Sequence, residues 1–264
     1  TVSISKLFIA GVVPGLVMSV SLLVLNYVIS RKEGYKGSDT QWSASALVVS
    51  LKRGVWSILA PFVILGGIYA GFFTPTEAAV VAVFYTVFVG VFIHRELTIQ
   101  KVFHSLRTTT WLTGRVLLIL FAATVFGRLL VEQRIPAIIA ESLLSWTDNV
   151  YVIWTLLITM LLFIGMFMET LAAIMILVPV LLPITYMFGL DPTHVGVVVI
   201  CTLAVGFVTP PLGENIFVAS GIGGATVEQI VVRTLPFLAA YIVAIFVIAF
   251  VPSLSLWLPS LLGY

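Results

Sequence analysis

The sequence predicts an all-α polytopic membrane protein, and three observations carry that class. Of the 264 residues, 61% are hydrophobic and 9% are charged, where a soluble domain carries roughly 25% charged residues. Mean hydropathy is +1.19. Apolar runs of about 18 residues or more recur along the chain, each long enough to cross a bilayer as a helix. The formal net charge of +2 is too small, and its carriers too scattered, to point to nucleic acid. Cys201 is the only cysteine, so an internal disulfide and a cysteine metal cluster are both excluded, and the residue reads as helix packing. No HExxH, GxSxG, Walker A or dinucleotide glycine pattern occurs, so an enzyme reading has no residues to stand on.

Taken in order, the spans are residues 7–30, 55–73, 76–93, 115–131, 150–188 (too long for one crossing), 194–224 and 234–251. A closing amphipathic stretch, PSLSLWLPSLLGY, sets Trp257 and Tyr264 where interfacial aromatics belong. Two basic segments separate the early spans. One carries Arg31, Lys32, Lys36, Lys52 and Arg53; the other carries Arg95, Lys101 and Arg107. They flank a two-span hairpin, 55–93, so they share one side of the membrane, and the positive-inside rule makes that side cytoplasmic. The 115–131 span then runs outward. Polar-faced segments 98–110 and 136–146 read as interfacial helices. The chain opens on TVSISKLFIAG without an initiator Met or a signal peptide and reads as a piece of something longer.

Segment 150–188 starts outside and carries FIGMFMET at its centre, with Gly165, Glu169 and Thr170. A polar break at that point predicts a re-entrant helical hairpin opening outward, with its tip at 165–170. The Asp191-Pro192 turn then lies outside. Segment 194–224 descends until Thr209-Pro210-Pro211, which no continuous helix passes, since proline removes a donor and clashes with the preceding turn. About 14 residues of helix precede that break, roughly 20 Å, near mid-membrane. Irregular backbone at such depth is tolerated only in a protein interior or beside a watery cavity. Broken helices of this kind are how secondary transporters build ion and substrate sites.

Three further patterns have local readings. Thr74, Pro75 and Glu77 spell a capping box with proline at the first helical position, and that accounts for Glu77 without a ligand. Arg115, Arg128 and Glu132 lie near span ends and read as snorkelling, with Arg128 and Glu132 at i,i+4 spacing. His94, His104 and His194 read as solvated interfacial residues. The carboxylates are less settled. From residue 150 to 227 there is no Lys or Arg, while Glu169, Asp191 and Glu214 are present. A carboxylate at membrane depth marks an ion or proton route; the alternative is that Glu169 or Glu214 caps a half-helix. Without an arginine clamp, this half offers cation coordination and helix N-termini.

The stretches GFFTPTEAAVVAVFY, GMFMETLAAIMILVPVLLP, LDPTHVGVVVICTLAVGFVTPPLGENIFVASGIGG and SLWLP, in this order, resemble the C-terminal half of the large membrane (permease) subunit of tripartite ATP-independent periplasmic (TRAP) transporters. The resemblance covers essentially the whole chain. It implies half of an inverted-repeat, elevator-type transporter with one re-entrant hairpin and one broken transmembrane helix, in a bacterial inner membrane. The implied parts are residues 1–30, last helix of the first repeat; 31–54, a cytoplasmic loop with an amphipathic helix; 55–93, scaffold helices; 94–149, arm helices and a span; 150–188, hairpin; 189–224, broken helix; and 225–264, a C-terminal scaffold helix.

It further implies sodium-driven import of organic acids, of C4-dicarboxylate or sialic-acid type, with sodium as coupling ion and no other cofactor. The implied partners are a small membrane subunit, a periplasmic substrate-binding protein and the N-terminal half of the same subunit. Backbone carbonyls of Gly165, Gly206, Thr209 and Leu212, with the Thr209 hydroxyl, are the implied sodium site. Glu169, Thr170, Pro210, Pro211, Gly213, Glu214 and Asn215 are candidates for the adjoining cavity. Two other readings stay open: a proton-coupled hairpin-type anion transporter using Glu169 or Glu214, and a structural membrane subunit with no site.

Overall fold

The computed structural model describes residues 2–35, 43–211 and 213–264. The helices in order are α1 (Ile4–Ala10), α2 (Val12–Lys32), α3 (Ala44–Tyr69), α4 (Pro75–Phe88), α5 (Ile99–Glu132), α6 (Ile135–Trp146), α7 (Val150–Gly165), α8 (Thr170–Met187), α9 (Pro192–Gly206), α10 (Glu214–Gly223), α11 (Val227–Phe250) and α12 (Ser253–Leu261). A π turn over Val89–Ile93 extends α4. No strand occurs among the described residues. Among the described residues, six stretches are long and apolar enough to cross a membrane: Ile4–Lys32, Ala44–Tyr69, Pro75–Ile93, Ile99–Glu132, Thr170–Met187 and Val227–Phe250.

The chain forms two compact units, residues 36–116 and residues 1–35 with 117–264. In the 36–116 unit, α3 packs on α4, and the Tyr85 hydroxyl donates to the Trp56 carbonyl at 2.6 Å. The link between them closes on Gly67, where a Cβ would lie 1.8 Å from the Phe73 ring. The capping box forms as the sequence predicts. The Thr74 N–H donates to Glu77 Oε2 at 2.8 Å, and the Glu77 N–H donates to Thr74 Oγ1 at 3.3 Å.

In the larger unit α9 is the axis. It packs against α7, α8, α11, α1 and α12, and its buried residues, from Thr193 to Gly206, cover most of its circumference, leaving Ile200 and Ala204 exposed. α7 instead buries one face, Ile153, Trp154, Leu157, Ile158 and Leu161, the spacing of a helical stripe. Ile184 of α8 and Ile245 and Ile248 of α11 complete the core. α11, expected as a scaffold helix, shares this unit and packs on α9 and α2.

Three expectations change. His194 is not solvated: it is 1% exposed, with Nε2 3.1 Å from the Ala249 carbonyl and its ring edge-on to Trp154 at 5.2 Å. Packing of α7 and α11 over the first turn of α9 encloses it. Residues 98–110 do not form a separate interfacial helix; α5 runs unbroken from Ile99 to Glu132. No proline interrupts it, and Thr108 and Thr110 return their hydroxyls to carbonyls one turn back. α11 begins at Val227, seven residues before the expected span, because Thr226 and Gln229 make a second capping box. In the 31–54 segment, expected as a loop with an amphipathic helix, α3 starts at Ala44 and runs on to Tyr69; residues 36–42 lie outside the described residues.

Candidate functional site

Both predicted helix interruptions occur, and their edges meet. α7 ends at Gly165 and α8 starts at Thr170. α9 ends at Gly206 and α10 starts at Glu214. With 16 and 15 residues, α7 and α9 are about 24 and 22 Å long. Both fall short of the roughly 30 Å hydrocarbon core.

The closest approach is backbone on backbone. A Cβ on Gly206 would lie 2.5 Å from both the carbonyl carbon and the oxygen of Gly165. Only glycine permits that contact. The C-terminal ends of α7 and α9 therefore converge, each a cluster of carbonyls carrying roughly half a negative charge. Among the described residues no hydrogen bond ends on the Gly165 carbonyl. Two converging carbonyl ends suit a cation.

The segment after Gly206 is held by its own hydrogen bonds. The N–H groups of Val208 and Thr209 donate to the carbonyls of Val205 (3.1 Å) and Gly206 (3.0 Å). Those of Gly213 and Asn215 donate to Thr209 (3.1 Å) and Phe207 (3.2 Å). The Thr209 hydroxyl donates to the Val205 carbonyl at 2.7 Å, which leaves its oxygen lone pairs available to a cation. The Pro210–Pro211 peptide is cis; Pro210 is half-buried and Pro211 exposed. Leu212, the remaining implied ligand, lies outside the described residues.

The carboxylates separate into different roles. Glu169 is the N-cap of α8, accepting from the Ala172 N–H at 3.3 Å, so the capping alternative describes it. Thr170 follows at the first helical position, half-buried. Asp191 caps α9, accepting from Thr193 (2.7 Å) and His194 (3.1 Å). Glu214 opens α10 behind buried Gly213, and both Glu214 and Asn215 are exposed. No hydrogen bond joins Glu169 to Glu214 among the described residues. Sequence reasoning missed the carbonyls of Val205 and Phe207, which fix the turn; the threonine four residues after Val205 was the available signal.

The family model for the tripartite ATP-independent periplasmic transporter, DctM component, matches residues 1–254. The sialic acid TRAP transporter large permease protein SiaM of Vibrio cholerae is 38% identical over 263 residues, 99% of this chain and 61% of that protein. The C4-dicarboxylate TRAP transporter large permease protein DctM of Pseudomonas aeruginosa is 36% identical over 269 residues, 99% of this chain and 61% of that protein. The isethionate TRAP transporter permease protein DctMQ of Oleidesulfovibrio alaskensis is 38% identical over 255 residues, 97% of this chain and 40% of that protein. The chain thus spans about 40 to 61% of the length of these relatives.

Proposed function

The chain belongs to the DctM-component family of tripartite ATP-independent periplasmic transporters, and on that premise we propose that it forms the C-terminal half of the large permease subunit of a sodium-coupled organic-acid importer. It is a multi-pass inner-membrane protein. The observation that carries the proposal is the meeting of two helix C-termini at Gly165 and Gly206, in a region without any Lys or Arg from residue 150 to 227. Sodium would sit against the carbonyls of Gly165, Gly206, Thr209 and Leu212 and the Thr209 hydroxyl. The positive N-terminal ends of α8 and α10 would face the acid.

The relatives' names speak of sialic acid, C4-dicarboxylates and isethionate, all small organic anions, and an anion of this class is the proposed substrate. A periplasmic binding protein would deliver it. A small membrane subunit and the N-terminal half of the large subunit would complete the machine. In an elevator motion α7–α10 would move as a body past the scaffold helices of residues 55–93, with residues 94–149 as the connecting arm. The packing of α11 on α9 within one unit supports its moving with them, in place of a scaffold role.

Two measurements test this reading. In vesicles holding the full-length permease with its partners, uptake of the organic acid is expected to follow an imposed sodium gradient at fixed pH. Uptake driven equally well by a proton gradient without sodium would replace sodium by a proton route through Glu214. The second measurement is accessibility labelling with Cys201 replaced by alanine. Cysteines at Gly37 and Gln100 should label from the cytoplasm, and cysteines at Trp146 and Tyr186 from the periplasm, because a re-entrant hairpin returns to the face it entered. Labelling of the Trp146 and Tyr186 positions from opposite faces would mean that 150–188 crosses the membrane, and would remove the hairpin.

A further inference from the structure

We propose that the groove between α2 and α11 seats one acyl chain of an anionic phospholipid, with the lipid phosphate held at the groove's rim by Arg233. The groove has a volume of about 490 Å³. Its walls are Leu22 of α2, Val208, and Ile230, Phe237, Leu238 and Tyr241 of α11. The α11 residues recur every three or four positions, so they form a single face. Below the rim these walls are apolar apart from the Tyr241 hydroxyl. An extended peptide laid there would bring backbone N–H and C=O groups that such walls cannot satisfy. An acyl chain brings none.

Length and charge place a lipid in one leaflet. From Gln229 to Tyr241 α11 rises about 18 Å, close to the roughly 15 Å of hydrocarbon in one leaflet. The polar residues Gln229, Arg233 and Thr234 lie at one end of that stretch. α2 ends nearby in Arg31 and Lys32, and Arg233 is the only Lys or Arg from residue 150 to 264. Against these three cations stand Glu33 and Glu228. The Arg233 guanidinium is 74% exposed and reaches Glu33 through Nη1 alone, at 2.6 Å. The Tyr35 hydroxyl, then Arg233, hold Glu33 below the usual carboxylate range, so it stays ionised at neutral pH. An exposed ion pair of this kind is weak. It aims the guanidinium over the groove while its other N–H donors remain for a phosphate, the geometry arginine suits best. Basic pockets between membrane helices at the basic, cytoplasmic end recognise anionic headgroups in this way.

The test uses the full-length permease in vesicles containing a trace of phosphatidylglycerol or phosphatidylcholine with a photoreactive diazirine on the acyl chain, followed by mapping of the adducts. Phosphatidylglycerol is expected to label the α11 face from Ile230 to Tyr241 about fivefold more than phosphatidylcholine, the ratio one basic residue near an anionic surface supports. Arg233→Gln should bring the two lipids level. Labelling of the exposed α5 residues Leu118 and Phe121 should be unchanged, which shows that the variant is folded and inserted. Leu238→Trp, which fills the groove and leaves Arg233 in place, should reduce the phosphatidylglycerol adduct on this face. Equal labelling by both lipids in the unmodified protein would reduce the groove to ordinary lipid contact and overturn the proposal. No labelling of this face by either lipid would mean that another protein segment covers it, which also overturns it.

Discussion

Gly206→Ala is expected to lower sodium-driven uptake by the full-length permease more than tenfold and to lower its thermal stability. The added methyl would lie 2.5 Å from the carbonyl carbon and oxygen of Gly165, and neither belongs to a flexible side chain that could swing away. Overpacking a well-packed interior costs about 1–3 kcal/mol where side chains can adjust; here a helix end must move. The displacement would separate the two carbonyl clusters that form the candidate cation site, so transport should fail even in protein that still inserts. Two other glycines calibrate the result. At Gly165 an added Cβ meets Gly206 Cα and Leu203 Cδ2 at 3.4 Å, a contact that neighbours absorb with small shifts, so Gly165→Ala should be markedly milder. Gly221 in α10 has nothing within 4 Å, and Gly221→Ala should be neutral. Measured uptake in the order Gly221→Ala, Gly165→Ala, Gly206→Ala is the expected ranking. Wild-type uptake in Gly206→Ala would mean that α7 and α9 need not touch for function.

What the sequence made legible was mainly the interruptions. Pro210 and Pro211 forbid helix by covalent structure, and the polar run around Glu169 falls where an apolar helix has no reason to carry one. Both breaks are where they were expected, and so is the Thr74–Glu77 cap, whose signal is local. The misread features depend on contacts distant in sequence or on a missing signal. His194 looks like a surface histidine until α7 brings Trp154 and α11 brings the Ala249 carbonyl to it. The polar residues of 98–110 suggested a helix lying in the interface, but nothing there stops a helix from continuing into the span. Glu169 allowed two readings because a carboxylate before a helix can be a cap or a ligand; the 3.3 Å bond from Ala172 is a fact of the fold. The Gly165–Gly206 contact came from resemblance, since no spacing rule pairs glycines 41 residues apart.

Thr209→Val is expected to raise the sodium concentration for half-maximal uptake about 5- to 30-fold, the range that follows from losing roughly 1–2 kcal/mol of one polar contact. Valine keeps the volume and β-branching and removes only the hydroxyl. That hydroxyl spends its proton on the Val205 carbonyl at 2.7 Å and so presents lone pairs toward any cation held by the converging carbonyl ends. The substitution also deprives Val205 of a donor, which could loosen the turn without touching sodium. Thr209→Ser separates the two effects, because serine retains both the donor and the lone pairs; it should restore the sodium dependence to within about twofold if the hydroxyl oxygen is a ligand. Pro210→Ala should impair transport without a selective change in sodium affinity, since proline shapes the break and ligates nothing. Glu214→Gln addresses the proton route, because Glu214 is exposed, whereas Glu169 is occupied as a cap. Loss of sodium-driven uptake with an altered pH profile in Glu214→Gln would favour proton coupling. An unchanged sodium dependence in Thr209→Val would leave a site lined by backbone alone, with the Thr-Pro-Pro turn acting as a hinge between two half-helices.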